Sequence, residues 1–435
     1  MASAQQNCIK SSRRCGKTRR KRIYCDPSRP ISCSHDDSLK LIRIWMKKEF
    51  GFKNKLVPAV FPTTGRGLMT RKSIRPGEIL VSLPQRLLIT TQTVLDSDIG
   101  KHIKRWKPKL TPQQCLTVFL IWEKHKHTES PWFPYINMLP VTFTSPGYFS
   151  STELSFLPKC VRLKVDEVLE KLDCSYREVK HYSKYHWTEL YDILTYDLYI
   201  WSWYVINSRS VYYQSNHSKY LSTDEPDNIA LAPYLDLLNH SSQANVKAGY
   251  NAITNCYEII TYDVYKPYQE VFISYGCHGN QKLFIEYGFY IPDNCNDVYE
   301  ISYDDILNAC EHFSVKYKEK KLDLLKHHDL LKNLVCTMDG LSWKAMTVFK
   351  TLAMEWRHLE KWSQIYTETD IFNDLLPIVN TMIVFILQPY LDDNIQLMKQ
   401  LQIQKQQADL NPVHVEIIEQ LLKIENSILT KTLSM

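Results

Sequence analysis

Glycine is scarce in this chain: 12 of 435 residues, against 27 tyrosines and 15 phenylalanines. Neither Gly-x-x-x-x-Gly-Lys nor Gly-x-Gly-x-x-Gly occurs, which argues against the backbone-amide loops that cradle nucleotide phosphates. The 12 cysteines are scattered, with no Cys-x-x-Cys and no Cys-x-Cys, far below the density of a disulfide scaffold. Cys8, Cys15, Cys25 and Cys33 share the N-terminal stretch, but their spacings fit no standard zinc motif. Apolar runs are short. The longest, Met382 to Leu387, falls well below the roughly 20 residues that span a bilayer, so no membrane contact is expected. No apolar h-region follows the basic start, so an intracellular protein with mostly reduced thiols is expected.

What charge excess exists is local. The formal charge is +6, and Lys10, Arg13, Arg14, Lys17, Arg19, Arg20, Lys21 and Arg22 crowd the first two dozen residues. The remainder is close to neutral and offers no obvious polyanion site. Residues 1–37 lack apolar periodicity and read as a disordered basic arm, either a solvated tail or a nuclear-import or nucleic-acid patch. Direct nucleic-acid contact is expected only there. Hydrophobic residues at 44% and charged ones at 23% leave room for a large core in the rest.

Beyond the arm, Leu41, Ile44 and Trp45 suggest a short amphipathic helix. Extended segments follow at Val57 to Phe61, Leu68 to Thr70 and Ile79 to Leu83, divided by Thr63-Thr64-Gly65-Arg66-Gly67 and Arg75-Pro76-Gly77. Thr90 to about Tyr220 reads as helical, then strands resume at Tyr257 to Thr261 and Val271 to Ser274. After Pro292, Lys, Leu, Glu and Gln dominate, and Ile417, Leu421, Ile424 and Ile428 form one stripe on a final helix. Two β-halves separated by a long helical stretch must meet to bury their faces. That predicts an α+β body rather than a doubly wound fold.

Four short elements carry the chemistry. They are Gly65-Arg66-Gly67-Leu68, Asn207-Ser208-Arg209, Asp236-Leu237-Leu238-Asn239-His240-Ser241, and Val271-Phe272-Ile273-Ser274-Tyr275-Gly276 running on to Glu286-Tyr287-Gly288-Phe289. Together they resemble a SET-domain methyltransferase. Trp132-x-Pro134-Tyr135, Leu139-Pro140 and the helical tail resemble the Rubisco large-subunit methyltransferase class of that family. The resemblance implies a β-rich SET domain over residues 38–295, with a helical insertion at about 95–225, then an all-helical substrate-binding domain over 296–435. It further implies S-adenosyl-L-methionine as cofactor and a lysine of a histone or non-histone protein as substrate. The expected setting is cytoplasm and nucleus, and a monomer is expected.

The same resemblance distributes roles. Thr64, Gly65 and Arg66 form one cofactor wall, where a glycine lets the backbone approach the methionine moiety. Asn239 holds the amino-acid end, and His240 contacts the adenine largely through its backbone, so it is a scaffold rather than a base. Tyr275, at the end of a strand, is the catalytic residue, its hydroxyl aimed into a narrow channel that releases a neutral amine. Tyr287 and Phe289 add aromatic walls on the cofactor side, and Tyr287 also faces the substrate. Arg209 and Asp236 fall at substrate-side positions, although Asp236 reads equally as a buried cap or ion-pair partner. Asn216-His217-Ser218 repeats the tripeptide without a flanking apolar run and is set aside. No metal is implied, since Cys295, Cys310 and Cys336 are dispersed. Two other readings stand beside the leading one. One is a protein-histidine methyltransferase; the other is a non-catalytic SET scaffold that binds chromatin, which intact Tyr275 and Asn239 speak against.

Overall fold

The computed structural model describes residues 30–33, 36–216, 218–366, 373–407 and 409–434. Most of the basic arm, with Cys8, Cys15 and Cys25, lies outside the described residues, as does His217 of the second tripeptide. The arm ends earlier than residue 37. Ile31 and Ser32 already pair with Val60 and Ala59 at the edge of the first sheet.

Helix Asp37–Phe50 starts where Asp36 accepts hydrogen bonds from the Ser38 and Leu39 amides. It buries Leu39, Ile42 and Met46. The predicted stripe is therefore the wrong one: Leu41 and Ile44 are 36% and 63% exposed, and only Trp45 packs partly inward. Apolar residues occupy both faces of this helix, and local spacing alone could not choose between them.

The β-halves meet as expected. Leu56–Phe61 and Gly65–Thr70 form a hairpin, and Cys256–Thr261 sits between Glu78–Pro84 and Val246–Asn251 in an antiparallel sheet. Between these halves run the helices Pro112–His125, Lys159–His186 and Tyr196–Arg209. The last is nearly enclosed: Tyr199, Trp201, Trp203, Tyr204, Val205 and Ile206 are all buried. A single core reaches from Leu39 to Val271 and takes in both halves and much of the insertion.

A second core, from Tyr299 to Leu429, holds the C-terminal region together. This region is helical as expected, with one addition. Tyr299–Glu300, Val335–Thr337 and Gly340–Leu341 form a small antiparallel sheet, strands too short to show a period in sequence. Met382 to Leu387 belongs to the 32-residue helix Leu376–Gln407, not to a short segment. The overlapping segment Asn373–Lys405 is long and apolar enough to cross a membrane by length and composition. Val379, Met382, Ile383, Ile386 and Leu387 are nonetheless buried in the second core, and Asn394 hydrogen-bonds Glu425 of the final helix. That helix, Pro412–Leu433, buries Ile417, Leu421 and Ile428 as the stripe predicts. A third cluster, including Phe149, Val165, Phe284 and Leu422, seams the insertion to both the final helix and the turn before Gly288.

Candidate active site

The largely apolar residues 232–238 before Asn239 do not form a strand. They make a tight 3-10 turn, Leu235–Leu237, entered through Tyr234 at φ +70°. The turn delivers Asn239–His240 into a parallel pair with Phe272–Ile273, Asn239 opposite Phe272 and His240 opposite Ile273. Parallel pairing sets the two motif stretches side by side, pointing the same way. The second strand is short. It stops at Ile273, so Tyr275 lies just beyond it rather than at its end.

Asn239 is tied to the hairpin. Its Nδ2 donates to the Arg66 carbonyl at 3.2 Å and to Glu270 Oε1 at 2.8 Å. Glu270 Oε2 accepts from Thr64 Oγ1 at 2.6 Å. A Cβ on Gly67 would lie 2.5 Å from Glu270 Oε1 and 2.7 Å from Asn239 Nδ2, so the glycine makes room for this cluster. Gly65 is needed for another reason, its φ of +70°. Neither glycine belongs to a loop: the turn is confined to residues 62–64, and both lie on the strand. Burial pushes the Glu270 carboxyl up, opposed by its bonds from Thr64 and Asn239.

His240 faces the same region. Its Nδ1 accepts the Tyr275 amide at 3.0 Å, which requires an unprotonated Nδ1. Burial holds the imidazole below its ordinary value, in keeping with a neutral ring, and Nε2 is buried without a partner. Tyr275 stacks on His240 at 5.1 Å and donates its hydroxyl to the Leu238 carbonyl at 2.8 Å. Burial pushes that hydroxyl far above the usual phenol range. Tyr287 lies 4.9 Å from Tyr275, and Phe289 6.2 Å from Tyr287. A cleft of about 560 Å³ opens beside them, lined by Thr64, Asn239, His240, Phe272, Tyr275 and Phe289 among others. Its size and mixed lining suit a cofactor-sized ligand.

A second polar cluster adjoins. Arg209, the last residue of its helix, donates through Nη1 to the Asp236 carbonyl at 3.1 Å and reaches Asp236 Oδ2 at 3.4 Å. Tyr135 Oη donates to the same oxygen at 3.0 Å. The Asp236 side chain is 0% exposed and that of Arg209 17%. Burial raises the Asp236 carboxyl despite Arg209 beside it. Asp236 Oδ1 and Arg209 Nε are both buried without partners.

A family model for the SET domain matches residues 65–276. The chain is 37% identical over 351 residues to human SET domain-containing protein 4, covering 80% of this chain and 79% of that one. The chain belongs to the SET-domain methyltransferase family. A zebrafish actin-histidine N-methyltransferase is more distant, 25% identical over 54% of this chain and 39% of its own. Among solved structures, the LSMT SET domain bound to lysine and AdoHcy superposes with a TM-score of 0.63 at 18% identity, over 92% and 91% of the two chains. A structure of Rubisco LSMT bound to AdoMet gives 0.60 at 18%, over 91% of each chain.

Within this SET fold, Thr64, Gly65, Asn239, His240, Tyr275, Tyr287 and Phe289 converge around one cleft and its aromatic wall. Arg66 does not join them. Side chains alternate along a strand, so Arg66 turns away from the face shared by Gly65 and Gly67. Its guanidinium, lowered by burial and by Arg209, sits among Arg209, Asp236, Asp36 and Cys33. Only its carbonyl serves Asn239. Asp236 is ion-paired with Arg209 at 3.4 Å. Tyr287 is not among the residues lining the cleft and stands beside Tyr275 instead. Sequence reasoning missed Glu270 and Tyr135. The signal for Glu270 was a carboxylate two residues before Phe272, just ahead of the fourth motif stretch. Tyr135 had none, being 101 residues from Asp236 in the chain.

Proposed function

We propose that the protein is a protein-lysine N-methyltransferase that carries methyl from S-adenosyl-L-methionine to lysine side chains of histone or non-histone proteins. The observation that carries this reading is the placement of Tyr275, its hydroxyl fixed on Leu238, between the cleft at Asn239–His240 and the ring of Tyr287. The residues present fit the cofactor: a polar cluster at Thr64, Asn239 and Glu270, a flat apolar wall at Phe272 and Phe289, and the orphaned His240 Nε2. When bound, S-adenosylmethionine supplies an electrophilic methyl on a sulfonium sulfur.

The chain's own part is positioning and desolvation. Thr64, Asn239 and His240 orient the ligand in the cleft. Tyr275 and Tyr287 enclose the lysine nitrogen in aromatic surroundings, which favours the neutral amine needed for attack. The charged form is met first by their ring faces. Arg209 and Asp236 close the substrate side. His240 acts through its shape and its bond to the Tyr275 amide, and moves no proton. The reading includes both cytoplasm and nucleus, on the strength of the basic arm.

A second reading, methylation of a histidine, is supported by the actin-histidine relative. One experiment separates them. Purified protein is incubated with isotope-labelled cofactor and candidate proteins, and products are mapped by mass spectrometry, with Tyr275→Phe as blank. The expected label sits on lysine and disappears in the mutant. The mutant should also lose roughly 1–3 kcal/mol, because the Leu238 carbonyl loses its donor, so its folding is checked by melting. Label on histidine favours the second reading; normal activity of Tyr275→Phe overturns both.

A further inference from the structure

The folded body, close to neutral in sum, carries a local cluster of cations on its first helix. Along helix Asp37–Phe50 the residues Lys40, Arg43, Ile44 and Lys47 fall at i, i+3, i+4 and i+7, one exposed stripe. With Lys53 they line a groove of about 460 Å³. A neighbouring depression shares Lys40 and Arg43 and extends to Arg71. Nearby cations are neutralised, Lys40 by Asp37, Lys48 by Glu49 and Lys55 by Glu78. Arg43, Lys47, Lys53 and Arg71 have no carboxylate at ion-pair distance among the described residues. The groove is also apolar. Ile44 is exposed at its rim, and Phe52 meets Tyr234 edge to face at 5.8 Å in its floor. In its wall Asn54 Oδ1 accepts the Leu56 amide, which fixes the side-chain amide and leaves Nδ2 buried without a partner.

We propose that this groove docks an acidic peptide segment of a partner protein, with one apolar side chain set against the exposed Ile44. Carboxylates complement Arg43, Lys47 and Lys53, which line the groove. Nucleic acid fits less well. Single strands bind through exposed aromatic faces, whereas Phe52 and Tyr234 are buried and present no face for a base. The chain's own arm is excluded as occupant by its positive charge. Tyr234 also enters the turn that carries Asp236, so groove and substrate-side cluster share one structural element.

The test uses the full chain and fluorescence anisotropy with a short labelled peptide of Asp and Glu around one Leu. A dT oligonucleotide of matched charge serves as the competing probe. The Arg43→Glu/Lys47→Glu double variant should weaken peptide binding by roughly tenfold or more, since like charges replace opposite ones at both sites. Ile44→Ala should weaken it by a smaller factor. These side chains are exposed, and unchanged melting confirms the fold. Tyr275→Phe should bind the peptide normally, which separates this surface from the methyl-transfer reading. Peptide binding indifferent to all three substitutions belongs to the basic arm and overturns the proposal. So does an oligonucleotide that binds more tightly and displaces the peptide.

Discussion

Two polar clusters bear on Tyr275, and they are built in opposite ways. Around Asn239, both oxygens of Glu270 accept side-chain donors, and Asn239 Nδ2 is shared with a backbone carbonyl. The cluster sits half-buried and borders the cleft. Around Asp236, the carboxylate is wholly enclosed, its ion pair with Arg209 is 3.4 Å long, and one atom on each partner has no bond at all. A satisfied cluster holds its shape whether or not a ligand is present. An enclosed and incompletely satisfied one keeps free hydrogen-bonding capacity at high local cost. The contrast matches the proposed roles, with Thr64 and Asn239 orienting the ligand and Arg209 and Asp236 closing the substrate side.

The largest effect should come from breaking the enclosed cluster. Arg209→Ala strands the Asp236 charge and is expected to cost about 3–5 kcal/mol, read from the denaturation midpoint. The double variant Arg209→Met/Asp236→Asn should cost clearly less. Equal losses in the two would show that the residues do not act as a pair. Next comes the satisfied cluster. Gly67→Ala forces its Cβ onto Glu270 and Asn239, with an expected loss of roughly 1–3 kcal/mol. A diminished thermal shift with S-adenosylmethionine should accompany it. A full shift in that variant would detach the cluster from the cofactor.

The smallest effect concerns His240, which stands between the two. Its folded pKa lies below the ordinary 6.5, so above that value the imidazole is neutral folded or unfolded. As pH falls below 6.5 the unfolded chain takes up a proton that the folded one refuses, and stability is lost down to the folded value. His240→Gln should flatten this part of the melting-temperature profile below pH 6.5. An unchanged slope would mean that other groups produce it.

Much of the site could be read in advance because its residues lie within short motifs. Asn239, His240, Tyr275, Tyr287 and Phe289 follow from motif spacing and resemblance, and the fold brings them together. The errors share a cause. Arg66 is adjacent to Thr64 and Gly65 in the chain, yet strand alternation turns it to the opposite face. Leu41, Ile44 and Trp45 mark an amphipathic helix in the sequence, but the helix buries Leu39, Ile42 and Met46. In each case the composition of the segment was right, and the facing was set by what packs against it.

The sequence by itself determined the kind of body this is: two β-halves split by helices, a helical tail, and motifs dense enough to name a family. Those properties are local or compositional, and a chain carries them without folding. Tertiary structure alone decided which groups meet. Glu270 reaches Thr64 across 206 residues and Tyr135 reaches Asp236 across 101, contacts that no periodicity encodes. It also gathered cations from helix Asp37–Phe50, Lys53 and Arg71 into one strip on a body with no net excess. Charges sum along a chain, but they act at distances set only by the fold.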